Sequence, residues 1–185
     1  MKTKFYFILF VTILGMLALN SNGQFYKPGD KGKFIKGELS EADYTSLKSI
    51  LLENSKSVLQ DTLIIKYEYN NETCWMFLDK LNDDEIASSI KIRQLQIQKA
   101  CLVRKGISVF KFREKGLDLN KVVERDSSIL IDRKKQLFRL LFKKRATCGN
   151  SIIVLPNRKF ILIRSDSHFE AINYTQDQIS DVLAN

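Results

Sequence analysis

The sequence predicts an α/β protein in which helices cover both faces of a mixed β-sheet. Short apolar segments of β character alternate along the chain with longer segments of helical periodicity, an order that implies parallel crossover connections. Near the C-terminus, two β segments flank a tight turn and precede a last amphipathic helix, so a hairpin adds an antiparallel edge. At 44% hydrophobic residues in 185, we expect one domain over 40–185, built as a three-layer α/β/α sandwich.

The individual elements follow from hydrophobic spacing. After an extended lead-in at 24–39, Ser40 can cap a helix at 41–54, which has apolar residues on one face. Asp132 can cap the helix predicted at 133–145. The other predicted helices are a long one from Asp83 or Asp84 to near Gly106, then 117–125 and 175–183. The predicted strands are 63–69, 107–112, 128–131, 151–155 and 159–164.

The first residues have the three-part layout of a secretory signal peptide. Lys2 and Lys4 precede an apolar run at 5–19, and the run is followed by a short polar segment of small residues. We expect cleavage after Gly23, with an uncleaved anchor as the alternative, because the apolar run is short for a membrane span. The mature chain is then exported, periplasmic or secreted, with no further transmembrane segment. In that oxidising environment cysteines can pair.

Positive charge is concentrated in one stretch of this basic chain, whose formal net charge is +9. Residues 133–164 contain ten Lys or Arg side chains and no acidic one. This pattern predicts a basic surface, and its ordinary interpretation is a solvated helix face. The alternative is an anion-binding surface, whose partner for an exported chain is an acidic lipid or glycan rather than nucleic acid.

The segment 128–165 resembles the thioredoxin-like fold, and more closely its peroxiredoxin-type (redoxin) branch. SSILID is followed by an amphipathic helix, a loop and the strand–turn–strand SIIVLPNRKFILIRS. Cys74 also follows the first core strand, where such proteins place their reactive cysteine. The chain departs from the peroxiredoxin pattern at Asn71, where Thr is expected, and at Tyr67, where Pro is expected. These departures argue against ordinary peroxidase chemistry. The chain also lacks the C-x-x-C motif of thioredoxins, which argues against ordinary thioredoxin chemistry.

The resemblance implies that the loop after the first core strand faces the loop before the hairpin. Cys74 and Cys148 lie in these loops and would come together there. One interpretation is a thiol–disulfide redox protein with a protein thiol or disulfide partner, in which Cys74 is the nucleophile, Cys148 resolves, and nearby positive charge favours the thiolate. The other is a catalytically inactive binding or structural module, in which the disulfide is a staple and the basic surface around 133–164 binds the partner.

Two further candidates receive ordinary structural interpretations. Cys101 lies late in the long predicted helix and is expected to be a small buried hydrophobe. His168, the only histidine, stands near Asp166 and Glu170, but one histidine and two carboxylates are weak evidence for a metal site. We expect it to be a loop side chain before the last helix. No phosphate-binding glycine loop is present, and we expect no metal and no cofactor.

Overall fold

A computed structural model describes residues 33–55, 58–70, 72, 74, 80–116 and 120–184. The predicted signal peptide at 1–23 lies outside these residues. The helices are α1 (Glu41–Asn54), α2 (Asp83–Val103), α3 (Asn120–Arg125), a π-helix (Phe138–Phe142), a 3₁₀ helix (Glu170–Asn173) and α4 (Gln176–Ala184). The strands are β1 (Phe34–Glu38), β2 (Thr62–Glu68), β3 (Ile107–Glu114), β4 (Ile129–Asp132), β5 (Asn150–Val154) and β6 (Lys159–Ile163).

The strands form one mixed sheet in the order β1-β6-β5-β2-β3-β4. β2 pairs parallel with β3, and β3 pairs parallel with β4. The other pairings are antiparallel, including the hairpin of β5 with β6 and the contact of β2 with β5. The predicted fold class is therefore confirmed: the sheet is mixed, with a hairpin near the C-terminus and a helix after it.

Edge strand β1 lies within the segment predicted only as an extended lead-in. It pairs with β6 from Phe34 opposite Ile163 to Glu38 opposite Lys159. Gly37 leaves room in this strand for the Phe160 ring: a Cβ there would lie 2.8 Å from Cζ of the ring, which would have to shift. This glycine and the shortness of the segment hide the strand's periodicity in the sequence.

Alternation along β2 divides the core between the two faces of the sheet. Leu63, Ile65 and Tyr67 pack in a cluster with residues of α1 and the π-helix. Ile64 packs on the opposite face in a cluster with residues of α2, the 3₁₀ helix and α4. This arrangement confirms the three layers. It also means that Lys66, two residues after Ile64, points to the α2 face.

The helix predicted at 133–145 is shorter than expected at both ends. Helical structure runs from 136 to 142, because Lys135 and Lys143 both take a left-handed backbone conformation with φ of 53°. The capping role of Asp132 is as predicted: its carboxylate accepts hydrogen bonds from the backbone N–H of Gln136 at 2.8 Å and of Phe138 at 3.0 Å. Within the described ranges, no helix is both long and apolar enough to cross a membrane.

We expect Asp132→Ala to lower the free energy of unfolding by about 2–4 kcal/mol. The substitution removes the cap of the π-helix segment and also the acceptor of the Tyr67 hydroxyl, which donates to Asp132 over 3.1 Å. Urea unfolding of Asp132→Ala beside Asp61→Ala, an exposed carboxylate, measures the difference. Equal midpoints for the two variants contradict the capping role.

Candidate functional site

A disulfide joins Cys74, in the loop after β2, to Cys148, in the loop before β5. The Cα atoms are 5.6 Å apart, within the normal range for a bridge. Because β2 and β5 are antiparallel neighbours, the end of one and the start of the other meet at the same edge of the sheet. The structure thus confirms that the two predicted cysteines come together. Both are half-buried, so solvent reaches the bridge.

Gly149, next to Cys148, is held through both of its backbone polar groups. Its N–H donates to Oε2 of Glu72 over 2.9 Å, and its carbonyl accepts from Nζ of Lys66 over 3.3 Å. A Cβ at this position would lie 2.7 Å from the carbonyl oxygen of Tyr67, so a larger residue forces the backbone apart. We call these contacts of Glu72, Lys66 and Tyr67 with Gly149 the Gly149 clamp.

The two clamp side chains are charged groups in a buried setting. Glu72 is 8% exposed and also accepts a hydrogen bond from the backbone N–H of Tyr69. Burial raises the pKa of Glu72, while the Tyr69 N–H and the charge of Lys66 oppose the rise. Burial lowers the pKa of Lys66, which is 2% exposed, and the negative charge of Asp166 partly restores it. The negative charge of Glu72 therefore favours the protonated form of Lys66, and the positive charge of Lys66 favours the ionised form of Glu72.

Arg145 fastens the Cys148 loop to the β2 loop from the other side. Its guanidinium donates to the carbonyl of Asn70 and lies 2.9 Å from a carboxylate oxygen of Glu114. Lys135 lies 2.8 Å from the same carboxylate. Burial raises the pKa of Glu114, but Lys135, the Asn70 N–H and Arg145 outweigh it and hold the pKa below its ordinary value. Two of the ten basic side chains in 133–164 thus form ion pairs with one buried carboxylate.

Asn150 links three segments below the disulfide. Its Nδ2 donates to the hydroxyl oxygen of Tyr69 over 2.7 Å, and its Oδ1 accepts from the N–H of Ser165 over 3.0 Å. Burial raises the pKa of Tyr69, so the phenol stays protonated at neutral pH and keeps its own donor. Asn150, Arg145 and the Gly149 clamp together hold the two cysteine loops in position through contacts that do not involve the disulfide.

The remaining candidates lie apart from the disulfide. Cys101 is exposed, so the expectation of a buried hydrophobe is wrong: α2 buries Ala100, and the next residue turns about 100° away around the helix. His168 lies exposed in the turn after β6, as expected. The carboxylate of Asp166 accepts hydrogen bonds from the backbone N–H groups of Glu170 and Ala171. Over the described part of the chain, no cluster of three or more His, Cys, Asp or Glu side chains has a metal-binding arrangement.

Sequence reasoning missed the clamp residues. Lys66 interrupts the run LIIKYEY, and a charge inside a buried strand is a signal for a specific polar partner. Glu72 gives no such signal, because it lies in a polar loop where acidic residues are ordinary. Gly149 also lies in a loop, where glycine is ordinary. A larger residue is excluded there because the backbone of β2 lies close to it, and only the tertiary structure shows this contact.

No protein-family model matches the chain, and no curated protein matches it. Among solved structures, the chain is similar to a secreted Mycobacterium tuberculosis disulfide oxidoreductase homologous to E. coli DsbE, at 7% sequence identity and a TM-score of 0.37. The alignment covers 70% of this chain and 84% of that one. A likeness this distant leaves the function to be argued from the chain's own residues.

We expect Glu72→Ala to lower the equilibrium constant for closing the disulfide with glutathione by about tenfold, as losing one buried hydrogen bond of about 1–1.5 kcal/mol implies. Without the carboxylate, Gly149 is less well held and the two thiols meet less often. The constant is measured by alkylating the protein in glutathione buffers and counting blocked cysteines by mass. Glu53→Ala, an exposed site on α1, is the control; the same constant for both variants argues against the clamp.

Proposed function

We propose that this protein is an exported, thioredoxin-like thiol–disulfide protein that works through Cys74 and Cys148. The observation that carries the proposal is that the bridge is half-exposed while non-covalent contacts hold its two loops together. Such a bridge can open without releasing the loops, so the dithiol stays arranged to close again. These contacts keep Cys148 within reach of Cys74 when the bridge is open.

The chemistry is two successive exchanges. In the reducing direction, the Cys74 thiolate attacks one sulfur of a substrate disulfide, and the other substrate sulfur leaves as a thiolate. The Cys148 thiolate then attacks the Cys74 sulfur, which reforms the protein disulfide and releases the second substrate thiolate. The substrate gains two electrons and the protein dithiol loses two. An external thiol reductant returns the protein to the dithiol, and the reverse sequence oxidises a substrate dithiol.

We assign Cys74 as the attacking residue because it follows the first core strand, the place where the resemblance puts the reactive cysteine. Its sulfur lies 3.8 Å from the carbonyl oxygen of Thr147 in the loop that carries Cys148. The proposal is thiol–disulfide exchange rather than peroxide reduction, because Tyr67 and Asn71 replace the proline and threonine of the peroxiredoxin pattern. Residues 1–23, with the composition of a signal peptide, support export to a compartment where disulfides persist.

We expect Cys74→Ser to abolish thiol-dependent reduction of insulin and Cys101→Ser to leave its rate unchanged. Cys101 is exposed like an ordinary surface thiol but lies on α2, away from the bridge. Turbidity from precipitating insulin B chain with dithiothreitol as reductant measures the rate. Cys148→Ser is expected to trap a mixed disulfide on Cys74, which mass spectrometry detects. A Cys74→Ser variant as active as the original protein refutes the proposal.

The second candidate is a binding module in which the disulfide is only structural. It is favoured by five exposed basic side chains for which no ion pair occurs in the described ranges: Arg133, Lys134, Arg139, Lys143 and Lys144. They surround the π-helix and form what we call the basic patch. This candidate takes an anionic lipid or glycan as its partner.

Binding to heparin and to vesicles containing anionic lipid separates the two candidates. If the basic patch is the functional surface, Lys134→Glu/Arg139→Glu weakens binding and added salt weakens it further. If neither the double substitution nor added salt weakens binding, the basic patch is not the binding surface. The double serine variant of Cys74 and Cys148 binds equally well under this candidate and is inactive under the first.

A further inference from the structure

A cavity of about 110 Å³ lies between α2 and the sheet, near the carboxyl ends of β2 and β3. A buried water needs about 10–15 Å³ on this scale, so the space admits a molecule of several heavy atoms. Nothing in the proposed disulfide exchange uses it. Its walls combine apolar side chains of α2 and of the loop after β6 with charged side chains of β2 and α2.

Lys66 supplies a buried positive charge to the wall. Its ammonium donates to the carbonyl oxygens of Gly149 and Asp166, which leaves one of the three ammonium N–H groups unused. No carboxylate lies within ion-pair distance of it in the described part of the chain. The carboxylates of Asp166 and Glu72 act on the ammonium from beyond ion-pair distance, so its unused N–H group can serve an anionic ligand.

Arg93 adds a second cation from α2. Its Nη1 donates to the carbonyl of His168 over 2.6 Å, and the other guanidinium N–H groups have no acceptor within the described residues. Glu68 lies in the wall without an ion pair there, while Lys111 is neutralised by Asp126. The charges of Glu68 and of the buried Asp166 act on both Lys66 and Arg93. What remains open to a ligand is the unused N–H donors of these two cations, which suit an anionic acceptor.

The rest of the wall is apolar. Ile86 is 1% exposed and Phe169 is 1% exposed, and Ile90 lies one helical turn from Ile86. These side chains offer a surface for a short hydrocarbon body and no hydrogen bonds to a sugar or a base. The volume also excludes a nucleotide, because ligand sites of that size need about 300 Å³ or more.

We propose that this cavity binds a small organic carboxylate, with its head group at Lys66 and Arg93 and its short apolar body against Ile86, Ile90 and Phe169. The guanidinium edge of Arg93 suits a planar carboxylate, which it can bind through two parallel N–H groups. Neither sulfur lines the cavity, so binding of the carboxylate does not require the thiols.

Isothermal titration calorimetry with butyrate, hexanoate and the neutral hexanamide tests the proposal. Hexanoate is expected to bind saturably at millimolar or lower concentration, more tightly than butyrate and at least about tenfold more tightly than hexanamide. Arg93→Gln is expected to weaken hexanoate binding by at least about tenfold. Lys36→Gln, which changes an exposed charge on edge strand β1 outside the cavity, is expected to leave the affinity unchanged.

Ile90→Trp provides a second variant that fills the space from the helix and keeps both cations. It is expected to abolish hexanoate binding while circular dichroism shows the original helix content. The double serine variant of Cys74 and Cys148 is expected to bind hexanoate normally, so a failure of the redox proposal does not touch this one. Absence of saturable binding, equal affinity for acid and amide, or an unchanged affinity in Arg93→Gln overturns the proposal.

Discussion

The Gly149 clamp is the constraint on which the candidate site depends. A backbone N–H held by Glu72, a backbone carbonyl held by Lys66 and a close approach to Tyr67 leave the residue little freedom. Because Cys148 is its neighbour in the chain, the clamp also determines where that sulfur lies. Arg145 and Asn150 contact the same region at further points, so several independent contacts determine the position of the bridge.

Lys66 connects this site to the cavity on the α2 face. Its ammonium extends from the central strand to the carbonyls of Gly149 and Asp166, which belong to the loops on either side of the hairpin. It also lines the cavity. A buried charge lowers stability compared with an apolar side chain. The position of Lys66 inside a buried strand is explained if its ammonium is used, in the Gly149 clamp and at the cavity.

The fold class was predictable from the sequence because hydrophobic spacing reports burial directly. Tyr44, Leu47 and Leu51 repeat at helical intervals, and the apolar run from Leu63 marks the buried central strand. Edge strand β1 escaped prediction because an edge of five residues with a glycine carries almost no periodicity. The π-helix segment ends where Lys135 and Lys143 take left-handed backbone conformations. Lysine has no preference for this conformation, so the sequence does not predict where the helix begins and ends.

The site was predictable only in part. The pairing of Cys74 with Cys148 followed from a resemblance in the order of elements, since 74 residues separate the two in sequence. The residues that hold their loops come from β2, β3, β5 and the surrounding loops, and no local pattern relates them. For Cys101 the sequence-based prediction was wrong. A cysteine beside apolar residues in a helix suggested burial, but the buried face of α2 contains Ala100, and Cys101 is turned about 100° away from that face.

The most direct test of the account is amide hydrogen exchange at Gly149 in the fully reduced protein. If Glu72 and Lys66 hold this residue without help from sulfur, its N–H remains protected after the disulfide is opened, with exchange slowed relative to a free chain. Exchange of the Gly149 amide at the free-chain rate, while the N–H groups of β2 and β5 stay protected, contradicts the account.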